Sequence, residues 1–126
     1  MTAPLDGVRV VEMTSVVLGP YACQMLGDLG ADVIKIEPPG GDTNRNLGPH
    51  RNHRDMGSLY LTCNRNKRSV SLDLKSVNGR SAALEIIKSA DVVVHNFRPG
   101  AMQRLGLDYE SVRAINPEVV YCATYG

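Results

Sequence analysis

An α/β fold with a doubly wound parallel sheet is predicted by three observations. Short, β-branched apolar runs alternate with helical stretches along the chain, the first 37 residues read as a complete β-α-β unit, and the runs are apolar enough to be covered on both faces. A β-α-β unit returns its second strand parallel to the first through a right-handed crossover.

The first strand is the apolar run over residues 8–13, bounded by Asp6-Gly7 and Thr14-Ser15. A helix follows. Pro20 suits its first position, Ala22, Met25, Leu26 and Leu29 form an apolar stripe, and Gly30 closes it. Residues 32–37, Asp-Val-Ile-Lys-Ile-Glu, are the second strand, stopped by Pro38-Pro39-Gly40-Gly41-Asp42. The polar segment 43–58 has no clear period and reads as a long loop carrying Arg45, His50, Arg51, His53 and Arg54, of the kind that is usually functional or covers a partner surface.

The stretch 64–75 joins a basic turn, with Arg65, Lys67 and Arg68, to a third strand in which Val70, Leu72 and Leu74 alternate with polar residues. Such a turn can grip phosphate or be a solvated loop on a sheet rim. Ser76 caps a helix with Ala83, Leu84 and Ile87 on its apolar face. Residues 91–97 form the fourth strand, broken by Arg98-Pro99-Gly100. A short helix over 101–105 carries Arg104, Asp108 caps another that ends near Asn116 ahead of Pro117, and residues 119–124 form the fifth strand. This architecture calls for a further helix over that strand, so the fold is expected to be incomplete without a C-terminal remainder or another chain.

At 126 residues and 43% hydrophobic content, the chain reads as one domain over 1–126. A net charge of +1, 5% aromatics and no Trp argue against a dedicated nucleic-acid binder. There is no run of 18 apolar residues and no basic or apolar leader at the start, so the reading is a soluble, cytoplasmic protein without a membrane partner. Cys23, Cys63 and Cys122 lack disulfide or metal spacing and read as buried free thiols, with no metal cofactor.

In an open parallel sheet the ligand lies at the carboxyl ends of the strands, here the turns at 14–20, 38–42, Lys75-Ser76 and 96–100. The first turn holds only Gly19-Pro20 in place of G-x-G-x-x-G, and no P-loop lysine motif occurs, which argues against NAD and simple NTP binding. Gly19 allows close backbone approach, and the helix start beyond it can meet a phosphate or carboxyl group or be a plain strand-to-helix turn.

Five blocks, at residues 5–13, 19–22, 29–42, 66–75 and 96–100, together resemble the family III CoA-transferases, the group that includes formyl-CoA transferase, carnitine CoA-transferases and α-methylacyl-CoA racemase. The resemblance covers the N-terminal portion of a family member. It implies a Rossmann-like CoA-binding domain in a homodimer of interlocked rings, acting on acyl-CoA and a carboxylic acid acceptor. CoA contacts carried over by motif are Val17, Leu18, Leu72, Asp73, Leu74, Lys75, Asn96, Phe97, Arg98 and Arg104. Lys75, Arg98 and Arg104 suit the phosphates of CoA and Phe97 its adenine, although Phe97 also reads as a core side chain and Arg104 as a solvated one.

Two departures, Val17 where formyl-CoA transferase has glutamine and Pro38 where it has arginine, argue against formate and oxalate as substrates. His95 replaces a common Glu and reads as structural. The resemblance implies an Asp nucleophile that forms an acyl-enzyme anhydride and then an aspartyl-CoA thioester, or a His-Asp pair in the racemase branch. Either set matches positions beyond Gly126, whereas Asp28, Asp42, Asp73, Asp91 and Asp108 have helix, turn or strand-end roles and no catalytic residue is assigned here. A racemase or isomerase and a noncatalytic CoA-binding fragment are the alternatives to a transferase.

Overall fold

The computed structural model describes residues 2–50 and 55–125. Its elements are β1 (Arg9–Met13), α1 (Leu18–Asp28), β2 (Asp32–Glu37), a 3-10 turn (Thr43–Asn46), α2 (Ser58–Cys63), β3 (Lys67–Ser71), α3 (Val77–Lys88), β4 (Val92–His95), α4 (Ala101–Leu105), α5 (Tyr109–Ile115) and β5 (Val120–Ala123). The strands form one parallel sheet in the order β3-β2-β1-β4-β5. The chain runs outward from β1 to β3, then returns past β1 to begin β4, so the order reverses between β1 and β4. Two apolar layers cover the two faces. Val11, Met13, Ile36 and Val93 pack with Ala83, Ile87, Met102 and Val112, while Val10, Val33 and Val94 pack with Cys23. The doubly wound α/β prediction therefore holds.

Local chemistry sets the helix starts. Ser76 Oγ accepts the Gly79 N–H at 3.0 Å, and Asp108 Oδ1 accepts the Ser111 N–H at 3.1 Å, each satisfying a helix-end donor. Gly30, at φ 102°, follows α1 as expected.

Four readings are corrected. Helix α1 begins at Leu18, which puts Pro20 third rather than first, and most of its apolar stripe faces outward: Met25 and Leu29 are 51% and 45% exposed, while Leu26 packs against the core. The helix meets the sheet through Gly19, Pro20, Cys23 and Gln24 because small residues permit a closer approach; a Cβ on Gly19 would lie 2.4 Å from the Thr14 side chain. Strand β3 stops at Ser71, so Leu72 and Leu74 belong to a turn, where they still pack against the core. The segment read as a loop over 43–58 contains the 3-10 turn and leads into α2, an element not predicted; Arg51, His53 and Arg54 lie outside the described residues. Cys23 and Cys63 are buried free thiols, but Cys122 is exposed on the edge strand β5.

The turn at Leu72–Lys75 is fastened to α3. Ser76 N and Oγ both donate to the Asp73 carbonyl, at 3.0 and 2.8 Å, and Gly79 sits so close that a Cβ there would lie 2.0 Å from that oxygen. Helix propensity alone favours alanine at this position by roughly 0.5–1 kcal/mol. Gly79→Ala is nonetheless expected to destabilise the protein by about 1–3 kcal/mol through overpacking. Urea denaturation checks it against Gly40→Ala, where an added Cβ meets nothing within 4 Å.

Candidate functional site

A cleft of about 350 Å³ opens at the carboxyl ends of β1, β2 and β3 and beside the end of β4. Its apolar wall comes from Met13, Ile36, Leu72, Leu74, Phe97 and Leu105. Polar groups reach it from Thr14, Ser15, Asp73, Lys75 and Asn96. Apolar walls with a few fixed polar groups at the switch point of a parallel sheet are what a small-molecule site requires.

Beneath the cleft lies a buried charge network. Strand register sets Glu12 opposite Lys35, both facing α1. Lys35 Nζ lies 3.0 Å from Glu12 Oε1, 3.0 Å from Asp42 Oδ2 and 2.7 Å from the Thr14 carbonyl, to which it donates. Lys67 Nζ approaches Glu12 Oε2 at 2.7 Å. Alongside, Glu37 accepts from Arg45 Nε and Nη2 at 2.7 and 2.6 Å, from Ser69 Oγ at 2.6 Å, from the Asp42 N–H at 2.7 Å and from Tyr60 Oη at 3.0 Å. The Arg45 guanidinium also lies 3.9 Å from the centre of the Tyr60 ring. Burial alone would raise the Glu37 carboxyl, but these donors outweigh it and hold the group at about 2. Burial pushes the Cys23 thiol up to about 12, so it is no nucleophile near neutral pH.

The sequence reading did not flag this network. Its signal was present: Glu12, Lys35 and Glu37 are charges inside strands predicted to be covered on both faces, and a buried charge needs a partner.

The basic turn turns out differently from its phosphate-gripping reading. It lies at the amino end of β3, away from the cleft, and its cations are paired: Arg65 with Asp28, Arg68 with Asp32 and Lys67 with Glu12. Of the residues assigned to CoA, Leu72, Asp73, Leu74, Lys75, Asn96 and Phe97 line the cleft. Phe97 also packs against the core, as its reading as a core side chain expects. Val17 and Leu18 do not line it; they are exposed at the start of α1. Arg98 lines a second cleft of about 590 Å³ with Tyr109, Tyr121 and Tyr125. Arg104 lines neither, and its Nη1 lies 3.3 Å from the position of a Cβ on Gly100.

His95 is buried, its Nδ1 accepts the Phe97 N–H at 3.2 Å, and burial lowers its pKa, so a neutral ring packed near Tyr121 is a structural role. Among the described residues no cluster of His, Cys, Asp and Glu is arranged to hold a metal, and no helix is long and apolar enough to cross a membrane.

The model of the family described as CoA-transferase family III matches residues 5–126. The chain belongs to CoA-transferase family III. It is 44% identical to a succinate–glutarate CoA-transferase of Agrobacterium fabrum and 46% identical to a formyl-CoA:oxalate CoA-transferase of Streptomyces avermitilis, with 98% and 100% of this chain covered. It spans about a third of their length, 32% and 31%. A crystal structure of a CAIB/BAIF family protein from Brucella suis matches with a TM-score of 0.92 at 43% identity, over 98% of this chain and 33% of that one. A putative β-ketoacyl-ACP reductase, 16% identical with a TM-score of 0.52 over 89% of this chain and 48% of that one, shares the fold alone. Family membership agrees with the resemblance carried by the five sequence blocks, and this fold places four of them, at 5–13, 29–42, 66–75 and 96–100, around the main cleft.

The depressed Glu37 carboxyl makes stability pH-dependent. With the folded value about 2 and the ordinary value 4.5, its stabilisation is complete above about pH 4.5 and disappears as pH falls towards 2. Urea midpoints measured across that window should fall in the wild type, by on the order of 3 kcal/mol in stability from this group. Glu37→Gln should be less stable at pH 7 and show a flatter acid limb.

Proposed function

We propose that residues 1–126 form the coenzyme A-holding part of an acyl-CoA:carboxylate CoA-transferase. One observation carries this reading. Among the described residues, Arg9, Lys35, Arg45, Arg65, Lys67, Arg68 and Lys88 are ion-paired, whereas Lys75, Arg80, Arg98, Arg104 and Arg113 have no carboxylate partner, and of these Lys75 lines the main cleft. Lys75 follows the carboxyl end of β3 at the apolar cleft itself, while Arg98 and Arg104 lie in the segment that follows β4, whose first residues Asn96 and Phe97 line the same cleft. CoA joins an extended, largely uncharged pantetheine arm to a pyrophosphate and a 3′-phosphate. An apolar slot flanked by free cations suits both parts.

In the proposed reaction an Asp carboxylate outside residues 1–126 attacks the acyl-CoA carbonyl. The C–S bond breaks, CoA leaves as thiolate and an acyl-enzyme anhydride remains. The thiolate then attacks the anhydride at the enzyme's carbonyl, releasing the first acid and giving an aspartyl-CoA thioester. The acceptor carboxylate attacks that thioester, releasing CoA thiolate and forming a second mixed anhydride, and the thiolate then attacks the acceptor's acyl carbonyl to give the new acyl-CoA and free the Asp carboxylate. Within residues 1–126, Asp42 is held by Lys35 and Glu37 by Arg45, and Asp73 Oδ1 accepts the Lys75 N–H at 3.0 Å, which assigns all three to structure. The acceptor is a small carboxylic acid, and Val17 and Pro38 in place of glutamine and arginine favour one other than oxalate or formate. Identity to the enzymes named for succinate and glutarate and for formyl-CoA and oxalate is similar, 44% and 46%, so overall identity does not separate these acids and local positions carry the choice. The whole enzyme is proposed to work as a cytoplasmic homodimer.

Lys75→Ala and Arg104→Ala in the whole protein should each weaken CoA binding by roughly 1.5–3 kcal/mol and reduce its salt dependence, since each removes a charge-assisted phosphate contact. Lys88→Ala, which removes a cation at the far end of α3, where the chain leads into the amino end of β4, is the control. Isothermal titration calorimetry at low and moderate salt reads the effect. Unchanged affinity in both variants at low salt would refute the phosphate assignment.

A further inference from the structure

Residues 14–16, which join β1 to α1, are held by side chains from three other parts of the chain. Lys35 Nζ on β2 donates to the Thr14 carbonyl at 2.7 Å. Asn96, just past β4, closes a two-way pair with Ser15: its Oδ1 accepts the Ser15 N–H at 3.0 Å and its Nδ2 donates to the Ser15 carbonyl at 2.9 Å. Asn44, in the 3-10 turn, donates from Nδ2 to the Val16 carbonyl. Successive carbonyls are thus each gripped from a different direction.

The backbone at the centre of this grip is unusual. Val16 has φ 68°, in the left-handed region where a β-branched side chain is strained. Its side chain is 54% exposed, so packing of that side chain does not explain the conformation. Asn44 is fully buried, and its own N–H is accepted by Asp42 Oδ1 at 2.9 Å. Since Asp42 Oδ2 lies 3.0 Å from Lys35 Nζ, the parts of the grip are linked through one buried network.

We propose that Asn44 and Asn96 are positioning residues that clamp residues 14–16 around a left-handed Val16, and thereby fix for CoA binding both the part of the cleft wall formed by Thr14 and Ser15 and, outside the cleft, the exposed residues Val17 and Leu18 that follow. The assignment of the ligand rests on the proposed function; the clamp itself rests on the contacts. Asn44 Oδ1 has no hydrogen-bond partner among the described residues, so removing the side chain also removes a buried unsatisfied acceptor. Truncating Asn44 should therefore disturb the turn more than global stability. Glycine reaches positive φ without the steric penalty of valine, so Val16→Gly lowers the need for the clamp.

The test uses the whole protein as wild type, Asn44→Ala, Val16→Gly and the double variant. CoA dissociation constants come from calorimetry, melting temperatures from calorimetric scans, and amide hydrogen exchange of residues 14–18 from mass spectrometry. Asn44→Ala is expected to weaken CoA binding roughly tenfold, the effect of losing about one well-placed hydrogen bond. Exchange at 14–18 should quicken while the melting temperature changes little. In the Val16→Gly background the same substitution should cost at most about threefold, a non-additivity that global destabilisation would not produce. Unchanged exchange at 14–18 in Asn44→Ala, or an equal loss of affinity in both backgrounds, would overturn the clamp. Wild type that fails to bind CoA would overturn the assigned ligand, while faster exchange in Asn44→Ala would still support the clamp.

Discussion

The fold around the cleft depends on one buried ammonium, that of Lys35. It is 1% exposed in the middle of β2, where an unpaired charge would cost several kcal/mol. Its partners come from three places: Glu12 on β1, Asp42 beyond β2 and the Thr14 carbonyl at the end of β1. Satisfying this cation therefore brings together the two turns that border the cleft. Asp42 passes the constraint on by accepting the Asn44 N–H and by donating its own N–H to Glu37. A well-packed apolar core can be as stable as a buried ion network, but it does not tie turns together in this way. Lys35 thus fixes local geometry, whatever its net effect on stability.

Charge pairing differs between the two ends of the sheet. Away from the cleft, the cations of the 64–68 stretch are matched to carboxylates on α1, β2 and β1, and their exposed members gain little because water screens them. At the carboxyl ends of β3 and β4 the cations have no such partners, and an incoming anion would meet charges that are not already neutralised. A net charge of +1 conceals this contrast, which depends on where the charges sit.

Helix α1 shows how shape can override hydrophobic pattern. Its inward side carries Gly19, Pro20, Cys23 and Gln24, and it lies close to a sheet face occupied by Glu12 and Lys35. Leu18, Tyr21, Met25 and Leu29 are left outside, 45–60% exposed. Close approach covers the charged strand residues and keeps water from the network. Bulkier inward residues would hold the helix off and open that space.

The sequence by itself determined the order and kind of most elements, because apolar runs, capping residues and Pro or Gly stops act over a few neighbouring positions. Asp108 before α5 and the boundaries of α4 at 101–105 are clear cases. The family motifs likewise pointed to six residues that line the main cleft. Only the tertiary structure decided which way α1 faces, that Leu72 and Leu74 lie in a turn, that the basic stretch is neutralised by Asp28, Asp32 and Glu12, and that Val16 adopts a left-handed conformation. Each depends on partners far along the chain: Asn44 lies 28 residues from Val16, and Arg65 37 residues from Asp28. A local pattern of polarity records how a residue meets water. It does not record which distant carboxylate or carbonyl will meet it once the sheet has formed.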